Sequence, residues 1–346
     1  MKPPYELTER ILRLVASISE LIGAINATHL DDPTPQLRKR NRIKTIHSSL
    51  KIEGNTLTED QITALLNKKR VIGPSKDIAE VMNAIELYNQ LEKFNYKSQK
   101  SFLRAHKLLM QCLINDAGTY RTKGVGIVKG SKVKHLAPPA VNVKALMNEL
   151  FTYLKNDKEL VLIKSCVFHY EMEFIHPFLD GNGRMGRLWQ TLILMERYPV
   201  FQFIPFETLI SQSQEKYYQA LSASDKSGSS TQFVEYILAV IEQSLIELLN
   251  VNNRTWSGKE RLAYFIKQVK GSFFRKDYMN VFKDISSATA SRDLKKGTEL
   301  VFFEKKGEKN KTVYKISESF SITHYELSSN INEQRLDSAI SKLKKR

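Results

Sequence analysis

The sequence predicts a mainly α-helical protein with one small β-hairpin and a C-terminal winged helix-turn-helix domain. Apolar residues recur three and four positions apart over most of residues 5–251, which is the spacing of amphipathic helices. Strand-like runs occur in only two places, around residues 125–136 and 300–316. At the second place, three short helical patterns precede two strand patterns, the order of a winged helix-turn-helix.

Composition bounds the class of protein. A chain of 346 residues predicts two or more domains, and 42% hydrophobic with 26% charged residues is typical of a soluble globular protein. Cys112 and Cys166 are too few for a disulfide framework, which favours a reducing compartment, the cytoplasm. No apolar run reaches the roughly 18 residues of a membrane-spanning helix, so no membrane contact is expected. The net charge of +16 favours polyanionic partners, although a solvated lysine-rich surface would account for it equally well.

The N-terminal region, residues 1–95, is predicted to be helical. Its first helix, residues 5–27, has apolar residues broken by charges and therefore does not resemble a signal sequence. A second helix is expected at about residues 36–53, after a break rich in proline and aspartate. Thr58 and Gln61 have the spacing of a capping box, which predicts the start of a third helix.

The following part of the chain, with residues 96–251 as one predicted domain, continues this helical pattern. The last helix of the N-terminal region is expected at residues 77–94, and helices of this domain are expected at residues 100–112, 142–154, 160–175, 185–197, 215–221 and 233–251. Two short strands around residues 129–132 predict a hairpin that Pro138 and Pro139 end. Residues 199–213 have no clear pattern, and residues 225–230 read as a polar turn.

Asn252, Asn253 and Arg254 mark a predicted boundary, after which the pattern changes. Residues 255–318 are predicted to form the winged-helix domain, with helices at residues 259–270, 274–281 and 287–296 and strands at 300–303 and 312–316. The candidate recognition helix presents Ser291, Arg292, Lys295 and Lys296 toward phosphates or bases. Residues 319–346 are expected to form a basic tail with a terminal helix. This domain could bind DNA, but such modules also mediate protein contacts.

The stretch from His176 to Arg187 carries the strongest chemical signal. It separates two apolar helical runs, so it reads as a tight loop that leads into a helix N-terminus, where unpaired N–H groups bind anions. His176 is the only histidine on this loop and the first candidate for a general base near pH 7. Asp180 offers the hard oxygen ligand that Mg²⁺ prefers.

The second half of the same stretch is suited to phosphate. Gly181, Asn182 and Gly183 allow the backbone to approach an anion closely. Arg184 and Arg187 lie three positions apart on the new helix, so both can reach phosphate oxygens. The stretch combines a base, a metal ligand, a backbone site for an anion and a pair of arginines. This combination predicts phosphoryl or nucleotidyl transfer. The alternative is a capped turn with surface arginines.

Two further features leave alternatives open. His169, Glu173 and His176 share a helical face and could suggest zinc, but their order is not that of a metalloprotease helix and no further ligand is evident. Ser49 and Glu53 lie four apart near the end of the second helix, where a glutamate opposes the helix dipole. Glu53 therefore has either a cationic partner elsewhere or simple exposure to solvent.

The loop resembles the Fic-domain motif, which reads histidine-x-phenylalanine-x-acidic-glycine-asparagine-glycine-arginine-x-x-arginine. Residues 176–187 match it at every fixed position. The entry and flap of this family resemble Gly118-Thr119-Tyr120-Arg121 and the hairpin of Val125–Leu136 that follows. Tyr217 and Tyr218 look like its helix after the motif. The resemblance covers about residues 36–251 and implies a Fic-fold helical core.

A second motif lies upstream. Residues 49–54 resemble the Ser/Thr-x-x-x-Glu-Gly/Asn motif of class II Fic proteins, which carry an inhibitory helix N-terminal to the core. The resemblance implies that Glu53, with Ser49 beside it, pairs with Arg187 and takes the place of the γ-phosphate. It thus favours a partner for Glu53 over simple exposure.

The resemblance implies a self-inhibited protein adenylyltransferase. ATP would be the substrate, Asp180 would hold Mg²⁺, and His176 would deprotonate a Ser, Thr or Tyr hydroxyl of a target protein, which could include the chain itself. Phosphate contacts are implied along the whole stretch, at Gly181, Asn182, Gly183, Arg184, Met185, Gly186 and Arg187.

Other parts of the site follow from the same resemblance. Val128 and Lys129 of the flap would align the target by strand addition. Tyr218 and Asp225 would lie on the adenine side, although relatives often have asparagine where Asp225 stands. The reverse reaction, removal of AMP, and another phosphate-containing donor remain alternatives, as does a DNA-binding regulator. A homodimer is one way in which inhibition could be relieved, but no residue pattern marks an interface.

Overall fold

The described residues fold mainly as α-helices, and the predicted fold class is confirmed. The computed structural model describes residues 3–27, 35–129, 132–155, 158–253, 258–266, 269, 271–282, 285–307 and 312–317. Within them, no helix is both long and apolar enough to cross a membrane. The chain divides into two compact units, Met1–Val251 and Asn252–Arg346.

The first unit is built from helices and one hairpin. Its helices are α1 (Glu9–Ala27), α2 (Pro35–Ile52), α3 (Glu59–Leu66), α4 (Ser75–Asn89), α5 (Gln99–Leu109), α6 (Ala140–Leu154), α7 (Val161–Ile175), α8 (Asn182–Met195), α9 (Glu207–Gln212), α10 (Gln214–Ser227) and α11 (Thr231–Asn253). Short 3₁₀ helices occupy Leu91–Lys93 and Pro199–Phe203. The hairpin pairs β1 (Gly126–Lys129) with β2 (Lys132–Leu136) in antiparallel register.

The core of this unit forms around α7 and α8, which pack closely against each other. Nearly every residue of α7 is buried, including Cys166, Phe168 and Met172, so this helix is enclosed by its neighbours on all sides. Helix α2 packs against α3, α4, α8 and α9. The end of α2 is thereby held beside the start of α8.

The predicted capping box at the start of α3 is confirmed. The backbone N–H of Gln61 donates to the Thr58 hydroxyl at 3.3 Å, and the Thr58 N–H donates to the Gln61 side chain at 2.9 Å. Two orphan donors of the first turn are satisfied reciprocally. This contact ends the connection from α2 and fixes where α3 begins.

The second unit contains three helices and a three-stranded sheet among its described residues. These elements are α12 (Gly258–Ile266), β3 (Ser272–Phe274), α13 (Arg275–Val281), α14 (Ser287–Glu299), β4 (Phe303–Lys306) and β5 (Val313–Ile316). The antiparallel sheet has the order β3-β5-β4. The buried Asp293 carboxylate accepts from Arg261 at 2.6 Å and from Tyr278 at 3.1 Å, which ties α12, α13 and α14 together.

Several predicted boundaries are wrong. The strand predicted at residues 300–303 begins only at Phe303, because α14 continues to Glu299 and Val301 turns with a φ of 59°. Strand β3 was not predicted, since only Phe273 of its three residues is buried and the chain enters α13 directly. In the stretch of residues 199–213 read as irregular, Pro199–Phe203 is a 3₁₀ helix and α9 is a full helix. The predicted tail, residues 319–346, lies outside the described residues.

Candidate active site

The loop between α7 and α8 turns sharply at His176. Helix α7 ends there with His176 in the left-handed region (φ 50°, ψ 60°), while its N–H still donates to the Met172 carbonyl at 3.0 Å. A non-glycine residue in this conformation is strained and is retained where the surrounding structure holds it. Gly181, with a φ of 85°, is then the N-cap of α8. The turn brings His176 and the start of α8 to the same cleft.

Phe178 and Asn182 hold the loop together from inside. The Phe178 side chain is fully buried. The Asn182 side chain accepts from the Phe178 N–H at 2.9 Å and donates to the Phe178 carbonyl at 2.9 Å. Both ends of this amide are therefore committed to the loop. Only the backbone of Asn182 is left for the anion contact that the sequence suggested.

His106 supports the loop from behind, and sequence reasoning missed it. Its ring is fully buried and lies 3.5 Å from the Phe178 ring at an interplanar angle of 4°. The Gly118 N–H donates to Nδ1 at 2.9 Å, so Nε2 carries the proton and donates to the Asp180 carbonyl at 3.0 Å. Burial lowers the pKa of His106 to about 4, which keeps the ring neutral. The available signal was a histidine on the otherwise apolar face of α5.

Arg121 is a second support whose role the sequence did not reveal. Its side chain, 3% exposed, donates to the carbonyls of His176 at 2.7 Å and Pro138 at 2.6 Å. Its backbone N–H donates to the Pro177 carbonyl at 2.9 Å. One arginine thus connects the end of α7 with the end of the hairpin, so the loop and the hairpin share an anchor.

The cleft in front of the loop has a volume of about 240 Å³. The residues that line it carry carboxylates, an imidazole and a guanidinium. The lining residues are Glu53, Glu173, His176, Leu179, Asp180, Gly181, Asn182, Gly183, Arg187, Tyr217 and Tyr218. The structure therefore brings together the predicted base, the predicted metal ligand, the glycine turn and Arg187.

The orientation of His176 leaves one ring nitrogen suited to proton transfer. Its Nδ1 lies 3.3 Å from the Glu173 carbonyl oxygen. A carbonyl oxygen only accepts, so Nδ1 carries the proton and Nε2 has the lone pair. This tautomer is the one a general base requires.

Asp180 stands at the positive end of α8. One of its carboxylate oxygens accepts from the Gly181 N–H at 2.6 Å and from Arg184 at 2.7 Å, and its side chain is 42% exposed. Mg²⁺ is commonly held by one carboxylate together with substrate phosphates. A partly exposed carboxylate beside an anion-binding helix end fits that role.

Arg187 is held by hydrogen bonds to the end of α2. Its buried guanidinium donates to the Glu53 carboxylate at 2.7 Å, to the Ser49 hydroxyl at 3.1 Å and to the Ser49 carbonyl at 2.9 Å. Burial alone would lower the pKa of Arg187, but the Glu53 carboxylate raises it above its ordinary value. Arg187 therefore stays charged, and the predicted contact between the second helix and the loop is present.

The middle of the predicted phosphate-binding run faces away from the cleft. Arg184 is 4% exposed and pairs with Glu80 at 3.0 Å and with Asp180. Met185 lies in the core, and a Cβ added to Gly186 would lie 2.7 Å from the His169 ring. Met185 and Gly186 therefore serve the packing of α8 on α7, because successive helical residues point in different directions.

The two residues predicted for the adenine side lie in different places. Tyr218 lines the cleft and is 38% exposed. Asp225 accepts from the Tyr170 hydroxyl at 3.0 Å and does not line the cleft. Of this predicted pair, only Tyr218 is in position to contact a ligand.

Glu173 belongs to a buried hydrogen-bond network and not to a metal site. The Tyr217 hydroxyl donates to Glu173 at 3.2 Å and lies 3.1 Å from Nε2 of His169, whose Nδ1 lies 2.7 Å from Gln190. Burial would raise the pKa of Glu173, but the neighbouring His169 lowers it below its ordinary value. Across the part of the chain that the structure describes, no three metal-binding side chains converge, which argues against the zinc alternative.

The hairpin forms at the predicted place. Val128 pairs with Val133 and Lys129 with Lys132, with an irregularity in register between Ile127 and Val128. Residues 130 and 131, which connect the strands, lie outside the described residues. Strand β2 lies near α10, which carries Tyr218. The hairpin therefore stands beside the cleft.

Comparison with known proteins places this geometry in a family. The model of the Fic/DOC family matches residues 96–194. A crystal structure of a Fic family protein from Desulfovibrio desulfuricans G20 is 38% identical, with a TM-score of 0.72, over 92% of this chain and 99% of that one. A segment of Fic-1 from C. elegans shares the fold at 20% identity, with a TM-score of 0.59 over 71% of this chain and 74% of that one.

Curated relatives point to the same family at lower coverage. A protein adenylyltransferase Fic from Drosophila mojavensis is 26% identical over 246 residues, 67% of this chain and 46% of the relative. A probable protein adenylyltransferase from Aquifex aeolicus is 28% identical over 159 residues, 43% of this chain and 48% of the relative. The chain thus spans about half the length of the curated relatives that it matches.

Proposed function

Because the chain belongs to the Fic family, we propose that it is a protein adenylyltransferase that transfers AMP from ATP to a target hydroxyl. The observation that carries the proposal is the convergence of His176, Asp180, Arg187 and the N-terminus of α8 on one cleft. A base, an oxygen ligand, a cation and an anion-binding helix end are what phosphate transfer requires.

The nucleotide would bind with its phosphates over the start of α8. The backbone N–H groups of Gly181, Asn182 and Gly183 lie at the N-terminus of α8, which is the positive end of the helix dipole, and that of Gly181 now donates to Asp180. Asp180 would hold Mg²⁺, which neutralises charge on the phosphates when it is bound. Arg187 would pair with the terminal phosphate once its present partners release it.

His176 would act as the general base. Its Nε2 takes the proton of a Ser, Thr or Tyr hydroxyl, and the freed oxygen attacks the α-phosphorus of ATP. A phosphorus–oxygen bond to the target forms, the bond to the β-phosphate bridge breaks, and pyrophosphate leaves. The target is a protein that presents this hydroxyl beside the hairpin, where strand addition to β1 or β2 would align it.

Self-inhibition is the second part of the proposal. Glu53 occupies Arg187 through a short charge-assisted hydrogen bond, and Ser49 adds two further acceptors. While these contacts persist, Arg187 is not available for a terminal phosphate. ATP would then bind weakly or with its α-phosphate misaligned for attack.

Removal of AMP is a second candidate, favoured by the position of the Glu53 carboxylate in the same cleft as His176. In that reaction Glu53 would orient the attacking water instead of only blocking a phosphate site. The two reactions differ in what Glu53 contributes. Replacing Glu53 should raise transfer of AMP and abolish its removal.

The test is self-labelling and lysate labelling by Glu53→Gly with labelled ATP and Mg²⁺. We expect labelling well above that of the wild-type chain, abolished by adding His176→Ala. An inactive Glu53→Gly protein, on itself and on lysate, would count heavily against adenylyl transfer. Offering AMP-modified protein to the wild-type chain tests the reverse reaction separately.

A non-enzymatic role is proposed for the second unit, as a DNA-binding module of the winged-helix type. In α14, Ala290 and Leu294 are buried while Arg292, Lys295 and Lys296 are exposed, so one face of the helix is basic. Such a face suits the phosphates of duplex DNA. We expect duplex binding that weakens steeply with salt and is lost in Lys295→Glu/Lys296→Glu. Absence of binding at low salt would refute this role without touching the enzymatic one.

A further inference from the structure

A chain of buried polar contacts joins the segment after Glu53 to the loop by a second route. The Asn55 side chain donates to one carboxylate oxygen of Glu80 at 2.8 Å. The other oxygen of Glu80 accepts from Arg184 at 3.0 Å, and Arg184 donates to Asp180 at 2.7 Å. Glu80 thus lies between the end of α2 and the residue expected to hold the metal.

The contacts of Glu80 with Asn55 and with Arg184 are shielded from water. Asn55 is 7% exposed, Glu80 6% and Arg184 4%. Hydrogen bonds to ionised groups are strong where water is excluded, and removing one partner leaves an uncompensated charge. The Nε atom of Arg184 is also buried, with no hydrogen-bond partner among the described residues. The position of Arg184 therefore depends on Glu80 and Asp180.

Asn55 ties the Glu53 segment to α4. Besides Glu80, its amide donates to the Asp77 carbonyl at 3.1 Å, and its oxygen accepts from the Leu57 N–H at 3.1 Å. Only Gly54, with a φ of 93°, separates Asn55 from Glu53. Because so few bonds lie between them, the place of Asn55 constrains where the Glu53 carboxylate can reach.

We propose that Glu80 is a positioning residue with two separable effects, docking of the Glu53 segment through Asn55 and, through Arg184, placement of the Asp180 carboxylate at the phosphate site. The inference rests on the proposed function, since that function assigns a metal-holding role to Asp180 and an inhibitory role to Glu53. With Glu53 present, Glu80 supports inhibition. With Glu53 removed, Glu80 supports binding of the β- and γ-phosphates.

The two effects predict different behaviour in two variants. Asn55→Ala removes the bonds of Asn55 to Glu80, Asp77 and Leu57 but leaves the pair of Glu80 and Arg184 in place, so it matters only while Glu53 is present. Glu80→Gln removes the negative charge that holds Arg184, so its effect persists when Glu53 is absent. AMP lacks the phosphates in question and serves as the control ligand for both variants.

The experiment measures ATP and AMP affinity by calorimetry with Mg²⁺, in full-length chains that carry His176→Ala to prevent turnover. In a Glu53→Gly background, we expect Glu80→Gln to weaken ATP binding about tenfold and leave AMP binding unchanged. Asn55→Ala should change neither affinity there. With Glu53 intact, Asn55→Ala should tighten ATP binding severalfold. In labelling assays with His176 restored, Glu80→Gln should raise KM for ATP more than it lowers kcat.

Three outcomes would overturn the inference. In the first, Glu80→Gln binds ATP with the affinity of its parent. In the second, it loses affinity for ATP and for AMP equally, which indicates a merely structural role. In the third, Asn55→Ala leaves the ATP affinity of the Glu53-intact chain unchanged. If Glu80→Gln fails to fold by circular dichroism, the Asn55→Ala comparison decides. Absence of ATP binding by the Glu53→Gly parent would instead count against the proposed function.

Discussion

The guanidinium of Arg187 donates to the carboxylate of Glu53 at 2.7 Å, although the two residues lie 134 positions apart in the chain. Arg187 is fully buried, and the Glu53 side chain is 27% exposed at the edge of the cleft. A hydrogen bond between charged groups contributes roughly 1.5–3 kcal/mol. The phosphates of a nucleotide can therefore compete for Arg187, and modest forces can decide the outcome.

Ser49→Ala should relieve this contact only in part. The substitution removes the hydroxyl that accepts from Arg187 at 3.1 Å but keeps the Ser49 carbonyl and Glu53 as acceptors. The buried Nε of Arg187 then lacks a partner, which favours a phosphate in its place. We expect ATP affinity, measured by calorimetry, to rise about threefold. An effect as large as that of Glu53→Gly would contradict the division of roles between the two residues.

Gly186→Ala should reduce stability because the added methyl group meets a fixed ring. Its Cβ would lie 2.7 Å from the buried His169 ring, where α8 packs on α7. Overpacking of this kind costs about 1–3 kcal/mol of unfolding free energy, which urea denaturation will measure. Gly23→Ala is the matched control, since nothing lies within 4 Å of its added Cβ in α1. Equal stability of the two variants would show that α8 can move away from α7.

The sequence predicted the site well where the functional residues lie close together along the chain. The loop of residues 176–187 contains its own base, carboxylate and glycines, so their convergence on one cleft follows from local spacing. The capping box of Thr58 and Gln61 is likewise local. The contact of Glu53 with Arg187 is not local, and its prediction depended on two motifs met in a known order.

Bonds to distant backbone carbonyls explain what the sequence could not reveal. His106 and Arg121 bind the carbonyls of Asp180 and His176, and every residue type offers a carbonyl. No pattern of side chains therefore marks their partners. The direction of each α8 side chain was also out of reach, which is why Met185 and Gly186 were grouped with the phosphate-binding residues although they pack against α7 and the core.

His106 should make the stability of the fold depend on acidity. Burial lowers its pKa to about 4 in the folded chain, while an unfolded histidine titrates near pH 6.5. Between these values the unfolded state binds the extra proton, so stability falls as pH drops from about 6.5 to 4. By pH 4 this titration lowers the free energy of unfolding by about 3 kcal/mol.

Comparison with His106→Gln isolates this effect. Glutamine can still donate to the Asp180 carbonyl but does not titrate. We expect urea denaturation of the wild-type chain to show a steeper loss of stability between pH 6.5 and 4 than that of the variant. The same slope in both proteins would mean that His106 does not account for the pH dependence.

Glu207 should act in the opposite pH direction. It begins α9, is fully buried, and neither carboxyl oxygen has a hydrogen-bond partner among the described residues. Burial raises its pKa to about 8, against about 4.5 for an exposed glutamate. As pH rises through this window the unfolded state releases its proton first, so stability falls between about pH 4.5 and 8.

Glu207→Gln keeps the shape of the side chain and removes the titration. We expect the variant to be more stable than the wild-type chain at pH 8, by several kcal/mol, with the advantage gone near pH 5. Glu215→Gln on the exposed face of α10 is the control and should leave the slope unchanged. Urea denaturation across this range measures all three proteins, and a pH-independent difference between Glu207→Gln and the wild-type chain would show that the carboxyl does not titrate in the fold.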